Sequence, residues 1–460
     1  MKIYIGKIEE CYYYGVYNLL KMIYPDAEFV SEDIDAQISY NFLIEKNEVT
    51  VIRNNITINE EVIFDNIPLT LKRIIYKAEN ASLPFGVLTG IRPSKTVFEH
   101  ENGLDALKNI YYVNEDKANL AFRCAEKEKQ LSEIIPKKSI SLYINIPFCP
   151  TRCKYCSFTM SNTMKNKEIL ESYFQALMKD LTATRDILKE NGVSVLGVYI
   201  GGGTPTVLSE NKLDILTGFI KENFGEIKEF TVEAGRADTV TKEKLSVLYK
   251  NGVTRISINP QTLNQSTLDE IGRKHTVIEF YDAYKCAVDT GFKNINTDII
   301  AGLPKESFLD FKYTVDNILK LSPQSFTIHT LCKKRSADMN AEDIIGEEKI
   351  VSEMLSYVYE KLKDKYEPYY MYRQKNAIGS FENVGFVKDN NICMYNIIMM
   401  QEIGSVISCG AGGTSKLISY NDKLPFSKLR TDKQVHTYIE TIDEIINKKK
   451  KFILNALEIM

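Results

Sequence analysis

The chain has 460 residues, more than one hydrophobic core usually organises, and this length predicts two to three domains. Its 44% of hydrophobic and 26% of charged residues are ordinary for a globular protein. A formal net charge of −3 gives no reason to expect binding to nucleic acid or to a membrane surface.

The amino-terminal stretch MKIYIGKIEECYYYG lacks the basic, apolar and small-residue regions of a secretory signal peptide. The chain has no run of ~18 apolar residues, so we expect no membrane span and a cytoplasmic location. Thiols stay reduced there, so clustered cysteines indicate metal binding or catalysis rather than disulfides. Six of the nine cysteines are scattered and are expected to be small buried residues: Cys11, Cys124, Cys286, Cys332, Cys393 and Cys409.

Residues 1–138 are predicted to form an accessory α+β domain. Residues 38–55 alternate like two strands around the turn Lys46-Asn47-Glu48. Residues 71–81 and 114–135 have helical spacing, whereas residues 83–95, LPFGVLTGIRPSK, are typical of a loop.

Residues 139–340 are predicted to form an α/β fold, a partial (β/α)6 TIM-like barrel. Short apolar runs alternate here with longer amphipathic stretches, which indicates βαβ units and a parallel sheet with right-handed crossovers. In such folds the chemistry lies at the carboxyl ends of the strands. The six apolar runs are 141–146, 195–200, 229–234, 253–259, 294–300 and 324–330.

Residues 341–460 are predicted to form a C-terminal α+β region on the substrate side. The pattern indicates a helix near 347–365 and a helical end near 431–458. A glycine-rich stretch, CGAGGTSKL, lies between them at 409–417.

Three cysteines follow the first predicted barrel strand, in CPTRCKYC. Cys149, Cys153 and Cys156 therefore fall at the carboxyl end of a strand, where a site is expected. Structural zinc usually takes four protein ligands, and the nearest histidines, His100 and His275, are far away in sequence. The pattern favours a three-cysteine iron–sulfur cluster with one open iron, with zinc and unrelated buried cysteines as the alternatives.

The string GGGTPT follows the second predicted strand at residues 201–206. Glycines allow positive φ and a close approach of the backbone to a ligand, and exposed N–H groups at such a junction suit an anion. A tight turn without a ligand is an equally good interpretation.

Polar residues also mark the ends of later strands. A charged residue at the end of an apolar run needs a partner, and such residues on one rim favour a binding site over separate solvated side chains. The set comprises Glu233, Asn259, Gln261, Arg273 and Asp298.

These motifs together resemble a known family. CxxxCxxC after a strand, with an aromatic residue before the third cysteine, resembles the radical S-adenosylmethionine (SAM) enzymes. The strings YINIPFC, GGGTPT, EAGRADT, PQTLNQSTLDEIGRKH and DIIAGLP resemble the oxygen-independent coproporphyrinogen III dehydrogenase family. LPFGVLTGIRPSK and the N-terminal domain are similar to its HemZ branch.

The resemblance implies a [4Fe–4S] cluster with Cys149, Cys153 and Cys156 as its ligands and catalytic residues. The open iron would bind the amino and carboxylate groups of SAM. The resemblance also implies the protein contacts of SAM. Backbone groups of Gly202, Gly203 and Thr204 would bind the ammonium of SAM, and Arg273 would bind its carboxylate. The ribose or other polar atoms of SAM would be bound by Glu233, Gln261 and Asp298. Tyr143 and Tyr155 would flank the cluster and the adenine.

The implied reaction is that of a radical SAM oxidoreductase in anaerobic haem biosynthesis. Its tetrapyrrole substrate, coproporphyrinogen III, would lose carbon dioxide from propionates to give the vinyls of protoporphyrinogen IX. An electron donor such as flavodoxin or ferredoxin would supply electrons to the cluster.

Two departures from the family leave other functions open. Phe158 stands where the bacterial dehydrogenases commonly carry another cysteine, and NNICMYN (390–396) replaces the HNxxYW string of the haem-chaperone branch. The alternatives are a haem-binding chaperone and a radical SAM methyltransferase acting on haem.

Overall fold

A computed structural model of the chain describes residues 1–158, 161–162, 167–332, 337–339, 348–418 and 426–457. The chain divides into two compact units. The first unit comprises Met1–Ala125, Tyr372–Lys375 and Gly379–Phe381, and the second comprises Glu126–Met371, Asn376–Ile378 and Glu382–Met460. The domain boundary expected after residue 138 stays a prediction, and the boundary expected between 340 and 341 lies outside the described residues. No helix of the described ranges is long and apolar enough to cross a membrane.

The first unit contains a five-stranded sheet and four helices. Its elements in chain order are β1 (Lys2–Ile5), α1 (Glu10–Ile23), β2 (Glu28–Val30), β3 (Ile38–Ile44), β4 (Glu48–Arg53), β5 (Ile56–Glu61), α2 (Ile67–Ala78), α3 (Gly103–Asp105) and α4 (Glu115–Ile134), and the division between the units falls within α4.

The sheet of this unit has the order β2-β1-β3-β4-β5. Strands β3 and β4 pair antiparallel, with Tyr40 opposite Arg53, which confirms the predicted hairpin. Helices α1 and α2 bury Leu19, Leu20 and Ile74 in one apolar cluster with the sheet. The helix predicted at residues 71–81 overlaps α2, whereas the sequence analysis did not identify α1.

The second unit is built on one 11-stranded sheet. Its strands are β6 (Ser139–Ile146), β9 (Ser194–Gly202), β10 (Glu229–Glu233), β11 (Arg255–Ser257), β12 (Ile295–Ala301), β13 (Ser325–Thr330), β14 (Glu367–Arg373), β15 (Glu382–Val387), β16 (Ser405–Cys409), β17 (Thr414–Ile418) and β18 (Phe426–Arg430), while β7 (Phe148–Cys149) and β8 (Ser161–Asn162) form a separate pair.

The helices of the second unit connect these strands or follow them. They are α5 (Lys167–Glu190), α6 (Glu210–Asn223), α7 (Lys242–Lys250), α8 (Gln265–Glu270), α9 (Val277–Thr290), α10 (Phe308–Leu321), α11 (Glu348–Leu362), α12 (Met394–Gln401), α13 (Val435–Glu440) and α14 (Ile442–Leu457).

Six parallel strands stand next to each other in the order β6-β9-β10-β11-β12-β13, with helices between successive strands. This arrangement confirms the predicted partial (β/α)6 barrel. The sheet continues beyond both ends of this barrel: β15 pairs antiparallel with β13, and β16 pairs parallel with β6. The sequence analysis did not identify these flanking strands.

Local signals fix where the barrel helices begin and end. Thr276 forms a capping box with Glu279 at the start of α9, and Ser307 forms one with Asp310 at the start of α10. Gly291 ends α9 with a φ of 108°, a conformation that favours glycine. Because the six strands are parallel, their carboxyl ends lie at one edge of the sheet, together with the loops that follow them.

The glycine-rich stretch after β16 is held by a buried ion pair. Lys449 of α14 donates to Asp180 of α5, and both side chains are at most 2% exposed. Asp180 also accepts hydrogen bonds from the backbone N–H of Gly410 (3.3 Å) and from the hydroxyl of Tyr438 (2.9 Å). Removing one partner of such a pair typically costs about 3–5 kcal/mol, because the other charge stays buried.

Candidate functional site

The cysteine loop, residues 149–156, is seated on the glycine turn that follows β9. The N–H groups of Gly203 and Thr204 donate to the carbonyl oxygens of Ile146 and Phe148, each at 2.8 Å. A Cβ on Gly203 would lie 2.4 Å from the Phe148 carbonyl oxygen, so this close approach requires glycine. The turn therefore fixes the first cysteine.

This geometry corrects part of the sequence analysis. The N–H groups of Gly203 and Thr204 are occupied by the chain itself, so these two are not among the exposed N–H groups that could bind an anion. The tight-turn interpretation holds for these two groups. An ammonium group is a hydrogen-bond donor and would need acceptors instead, which a backbone offers as carbonyl oxygens. If this turn binds the ammonium of SAM, its carbonyl oxygens would accept the hydrogen bonds.

The three loop thiols differ in their surroundings. Cys149 and Cys153 are buried, and Cys156 is half-buried. The Cys149 sulfur lies 3.2 Å from the Thr204 hydroxyl. Burial raises the pKa of the Cys149 thiol to about 11, although the Thr204 hydrogen bond and the charge of Arg236 act in the opposite direction. Binding of a cation would reverse this shift, because a coordinating thiol is deprotonated.

Within the described residues, no three His, Cys, Asp or Glu side chains are grouped so as to hold a metal ion. The loop thiols are therefore not preformed as a compact single-ion site. A cubane cluster carries its irons at separate corners, so its thiolate ligands stand farther apart than those of one ion. The donor set of three thiols on one loop fits such a cluster.

The polar residues predicted at the strand ends are brought together. Asn259 donates to the Asp298 carboxylate at 2.8 Å, and the Gln261 N–H donates to the Asp298 carbonyl oxygen at 3.0 Å. Glu233, at the end of β10, is close enough to Asp298 for their charges to interact. These residues share the edge at which the cysteine loop begins.

Arg273 connects this group to the cysteine loop. Its guanidinium donates to the Tyr155 hydroxyl at 3.2 Å and to the Asn259 carbonyl oxygen at 2.6 Å, and it also donates to the Gly235 carbonyl oxygen. Tyr155 lies between Cys153 and Cys156 in the chain. The predicted carboxylate-binding residue thus stands beside the predicted cluster.

Two buried polar atoms at this edge lack a hydrogen-bond partner among the described residues. They are the Gln261 side-chain oxygen and the Arg273 Nε. Orphaned buried polar atoms are costly, and in native proteins they mark places where a ligand or water completes the site. One acceptor and one donor within a group of carboxylates and amides suit the hydroxyl, amino and carboxylate groups of SAM.

Three stacked tyrosines stand side by side on adjoining elements. Tyr143 of β6 and Tyr199 of β9 are paired in register, and Tyr395 of α12 stacks on both, with ring centroids 5.5 and 4.5 Å away. The Tyr199 hydroxyl donates to Glu233, so the stack contacts the polar group. Tyr143 therefore lies in this stack, and its prediction beside the cluster or adenine stays a prediction.

The segment before Tyr395 closes the amino ends of the strands. Glu229, at the start of β10, accepts hydrogen bonds from the N–H groups of Met394 (2.7 Å) and Tyr395 (3.4 Å). Arg255, at the start of β11, donates to the Asn391 carbonyl oxygen at 3.3 Å. The segment that replaces the HNxxYW string is thus part of the barrel floor.

Sequence reasoning missed three residues of this edge: Tyr199, Arg236 and His329. His329 of β13 lies 3.7 Å from Asp298 and, with further hydrogen bonds, holds the pKa of Asp298 below its ordinary value although burial alone would raise it. For His329, the sequence signal was the same as for Asp298, namely a polar residue within an apolar strand.

Replacing Glu233 with Gln is expected to remove part of the pH dependence of stability. Burial, with a contribution from Asp298, raises the pKa of Glu233 from 4.5 to about 7. The folded state then binds a proton more tightly than the unfolded state, so this group lowers the free energy of unfolding as pH rises from 4.5 to about 7. Urea denaturation of the cluster-free protein across this range should show a shallower fall for Glu233→Gln than for the wild type.

The control for this experiment is Glu190→Gln, because Glu190 is an exposed carboxylate at the end of α5. Its curve should parallel that of the wild type. A Glu233→Gln curve that also runs parallel would contradict the raised pKa.

Comparison with known proteins identifies the family of the chain and a related fold. Residues 143–318 match the model of the radical SAM superfamily. The chain is 36% identical over 392 residues to the oxygen-independent coproporphyrinogen-III oxidase-like protein HemZ of Bacillus subtilis, covering 81% of this chain and 78% of HemZ. It is 29% identical to the haem chaperone HemW of Lactococcus lactis, covering 68% of this chain and 79% of HemW.

Among solved structures, the coproporphyrinogen III oxidase HemN of Escherichia coli, a radical SAM enzyme, resembles this chain with a TM-score of 0.53 and 19% identity. The likeness covers 70% of this chain and 73% of HemN, and it concerns the fold alone. The HemZ likeness is high in identity and extends over most of both chains. The chain therefore belongs to the HemZ-like family of oxygen-independent coproporphyrinogen III oxidase-like radical SAM proteins.

Proposed function

We propose that this protein is a radical SAM enzyme that acts on a tetrapyrrole, with coproporphyrinogen III as its substrate and oxidative decarboxylation of propionates to vinyls as its reaction. The observation that carries the proposal is the single edge that joins three loop thiols to the orphaned Gln261 oxygen and Arg273 Nε. A ligand bound at this edge could complete the hydrogen bonds of these two atoms.

A [4Fe–4S] cluster and SAM are the cofactors of this family. We assign the cluster to Cys149, Cys153 and Cys156, and SAM to the neighbouring edge, with Arg273 at its carboxylate and Glu233, Gln261 and Asp298 at its other polar groups. When bound there, the cluster and SAM would supply one-electron radical chemistry to a substrate at the same edge.

The chain contributes position and protection in this proposal. Arg273 holds its guanidinium fixed beside the loop, because Tyr155 and the Asn259 carbonyl oxygen orient it, and its Nε remains available to donate. The tyrosine stack contacts Glu233 and would help to shield the reacting groups from water once the ligands are bound. Cofactors of this kind perform the difficult step, and the protein orients and shields it.

The substrate assignment draws support from the relatives. HemN is named a coproporphyrinogen III oxidase, and HemZ is named an oxygen-independent coproporphyrinogen-III oxidase-like protein. Phe158 occupies the place of the extra cysteine of the bacterial dehydrogenases, and 60% of its side chain is exposed. Electrons would come from a small carrier such as flavodoxin or ferredoxin.

A haem-binding chaperone is the second candidate, favoured by the HemW likeness over 68% of the chain. One observation weighs against haem binding at the segment that replaces the HNxxYW string. Cys393 is fully buried, and the N–H groups of Met394 and Tyr395 are used by Glu229. We therefore place the enzyme first.

Anaerobic incubation of the reconstituted protein with SAM, a reductant and coproporphyrinogen III is expected to yield 5′-deoxyadenosine together with a vinyl product, detected by mass spectrometry. The Cys153→Ala variant is the matched control and should give neither compound. Stoichiometric haem binding without turnover would instead support the chaperone. Loss of added haem with a methylated linear product would point to a methyltransferase.

A further inference from the structure

The loop after β10 contains a buried arginine that contacts the cysteine loop. Arg236 belongs to the EAGRADT string, and only 3% of it is exposed. Its Nη1 donates to the carbonyl oxygen of Thr151 at 3.2 Å and to the Thr151 hydroxyl at 2.9 Å. Thr151 lies between Cys149 and Cys153, so Arg236 holds the cysteine loop from a strand two positions away from β6.

The opposite side of the same guanidinium is fixed by a carboxylate. Arg236 Nε and Nη2 donate to the two oxygens of Asp238 at 2.9 and 2.6 Å. A bidentate pair of this kind fixes the plane of the guanidinium, which a lysine ammonium cannot reproduce. Arg236 therefore has one preferred orientation, with Nη1 directed at the loop.

The charge of Arg236 also acts on the cluster ligands. It lies close enough to Cys149 and Cys153 to interact electrostatically with both thiols. Buried charges are little screened by salt. An iron–sulfur cluster becomes more negative when it is reduced, so a fixed positive charge nearby favours the reduced state, and a nearby carboxylate opposes it.

We propose that Arg236 is a positioning residue that anchors the cysteine loop through Thr151 and raises the reduction potential of the cluster, with Asp238 moderating its charge. The inference rests on the proposed function, because it requires the cluster at these three cysteines. It predicts that Arg236 and Asp238 affect the potential in opposite directions, although loss of either loosens the same loop.

The test is an anaerobic redox titration of the full-length reconstituted protein, monitored by electron paramagnetic resonance, with iron and sulfide content measured in parallel. Arg236→Gln should titrate at a lower potential than the wild type, and Asp238→Asn at a higher one. Arg236→Lys should keep the potential near that of the wild type, since it keeps the charge. It should lose iron to a chelator on the order of tenfold faster, since it lacks the fork. The control is Arg185→Gln, which removes an arginine paired with Asp186 on α5.

The outcomes separate this inference from the proposed function. A wild-type protein that binds no cluster would overturn both. Wild-type signals together with equal potentials in Arg236→Gln and Asp238→Asn would overturn the inference alone, and so would shifts in the same direction. If Arg236→Gln cannot be loaded, a higher potential in Asp238→Asn still supports the proposal, and an unchanged one overturns it.

Discussion

Replacing Cys153 with Ala is expected to abolish the visible charge-transfer absorption of the protein after anaerobic reconstitution with iron and sulfide. The loop offers three thiols for a cluster that keeps one iron open, so loss of one leaves too few ligands to hold four irons. Cys153 is buried, and its neighbour Lys154 donates from its N–H to the Ile271 carbonyl oxygen at 2.9 Å. The backbone of the loop should therefore persist, and the loss should reflect the missing thiolate.

The matched control is Cys286→Ala, a half-buried cysteine on α9 outside the loop. This variant should keep the absorption of the wild type. Full iron and sulfide content in Cys153→Ala would contradict the assignment of the cluster. A colourless wild-type protein that contains tetrahedral zinc would contradict the presence of an iron–sulfur cluster.

Replacing Arg273 with Ala is expected to weaken SAM binding by roughly ten- to a hundredfold while the cluster stays intact. Hydrogen bonds to charged groups contribute about 1.5–3 kcal/mol, and each 1.4 kcal/mol corresponds to about tenfold in affinity. Equilibrium binding of SAM to the reconstituted protein measures the loss, and iron content and absorption measure the cluster.

Two further variants separate a direct contact from a structural role. Tyr155→Phe removes one partner of Arg273 but leaves the guanidinium in place, so it should bind SAM nearly as well as the wild type. Arg273→Lys should bind with intermediate affinity, because it keeps the charge without the fork. Unchanged affinity in Arg273→Ala would exclude this residue from the site.

Much of the fold follows from patterns that the sequence contains locally. The six barrel strands and the helices between them were predictable because buried parallel strands form continuous apolar runs and the helices carry capping residues. The flanking strands were not; β16, for example, joins the barrel by pairing with β6, about 260 residues earlier in the chain. Pairing over such a separation leaves no periodic signal.

The candidate site, like the fold, was only partly predictable from the sequence. Cys149, Cys153 and Cys156 are recognisable by spacing within one loop. The contacts that place Arg236 and Tyr395 at the site are made with distant segments, Thr151 for the first and Tyr199 for the second. The N–H groups of the glycine turn were misjudged, because glycine content reports conformational freedom but not which hydrogen bonds the backbone has already made.

The seam between β6 and β16 has a consequence for biogenesis. A ribosome releases β6 long before β16 and α14, so the nascent barrel exposes an unpaired strand edge next to the future cysteine loop. Asp180 likewise waits for Lys449, which lies 269 residues later in the chain. We therefore expect insertion of iron and sulfide into a rigid loop only after β16 and α14 have been synthesised.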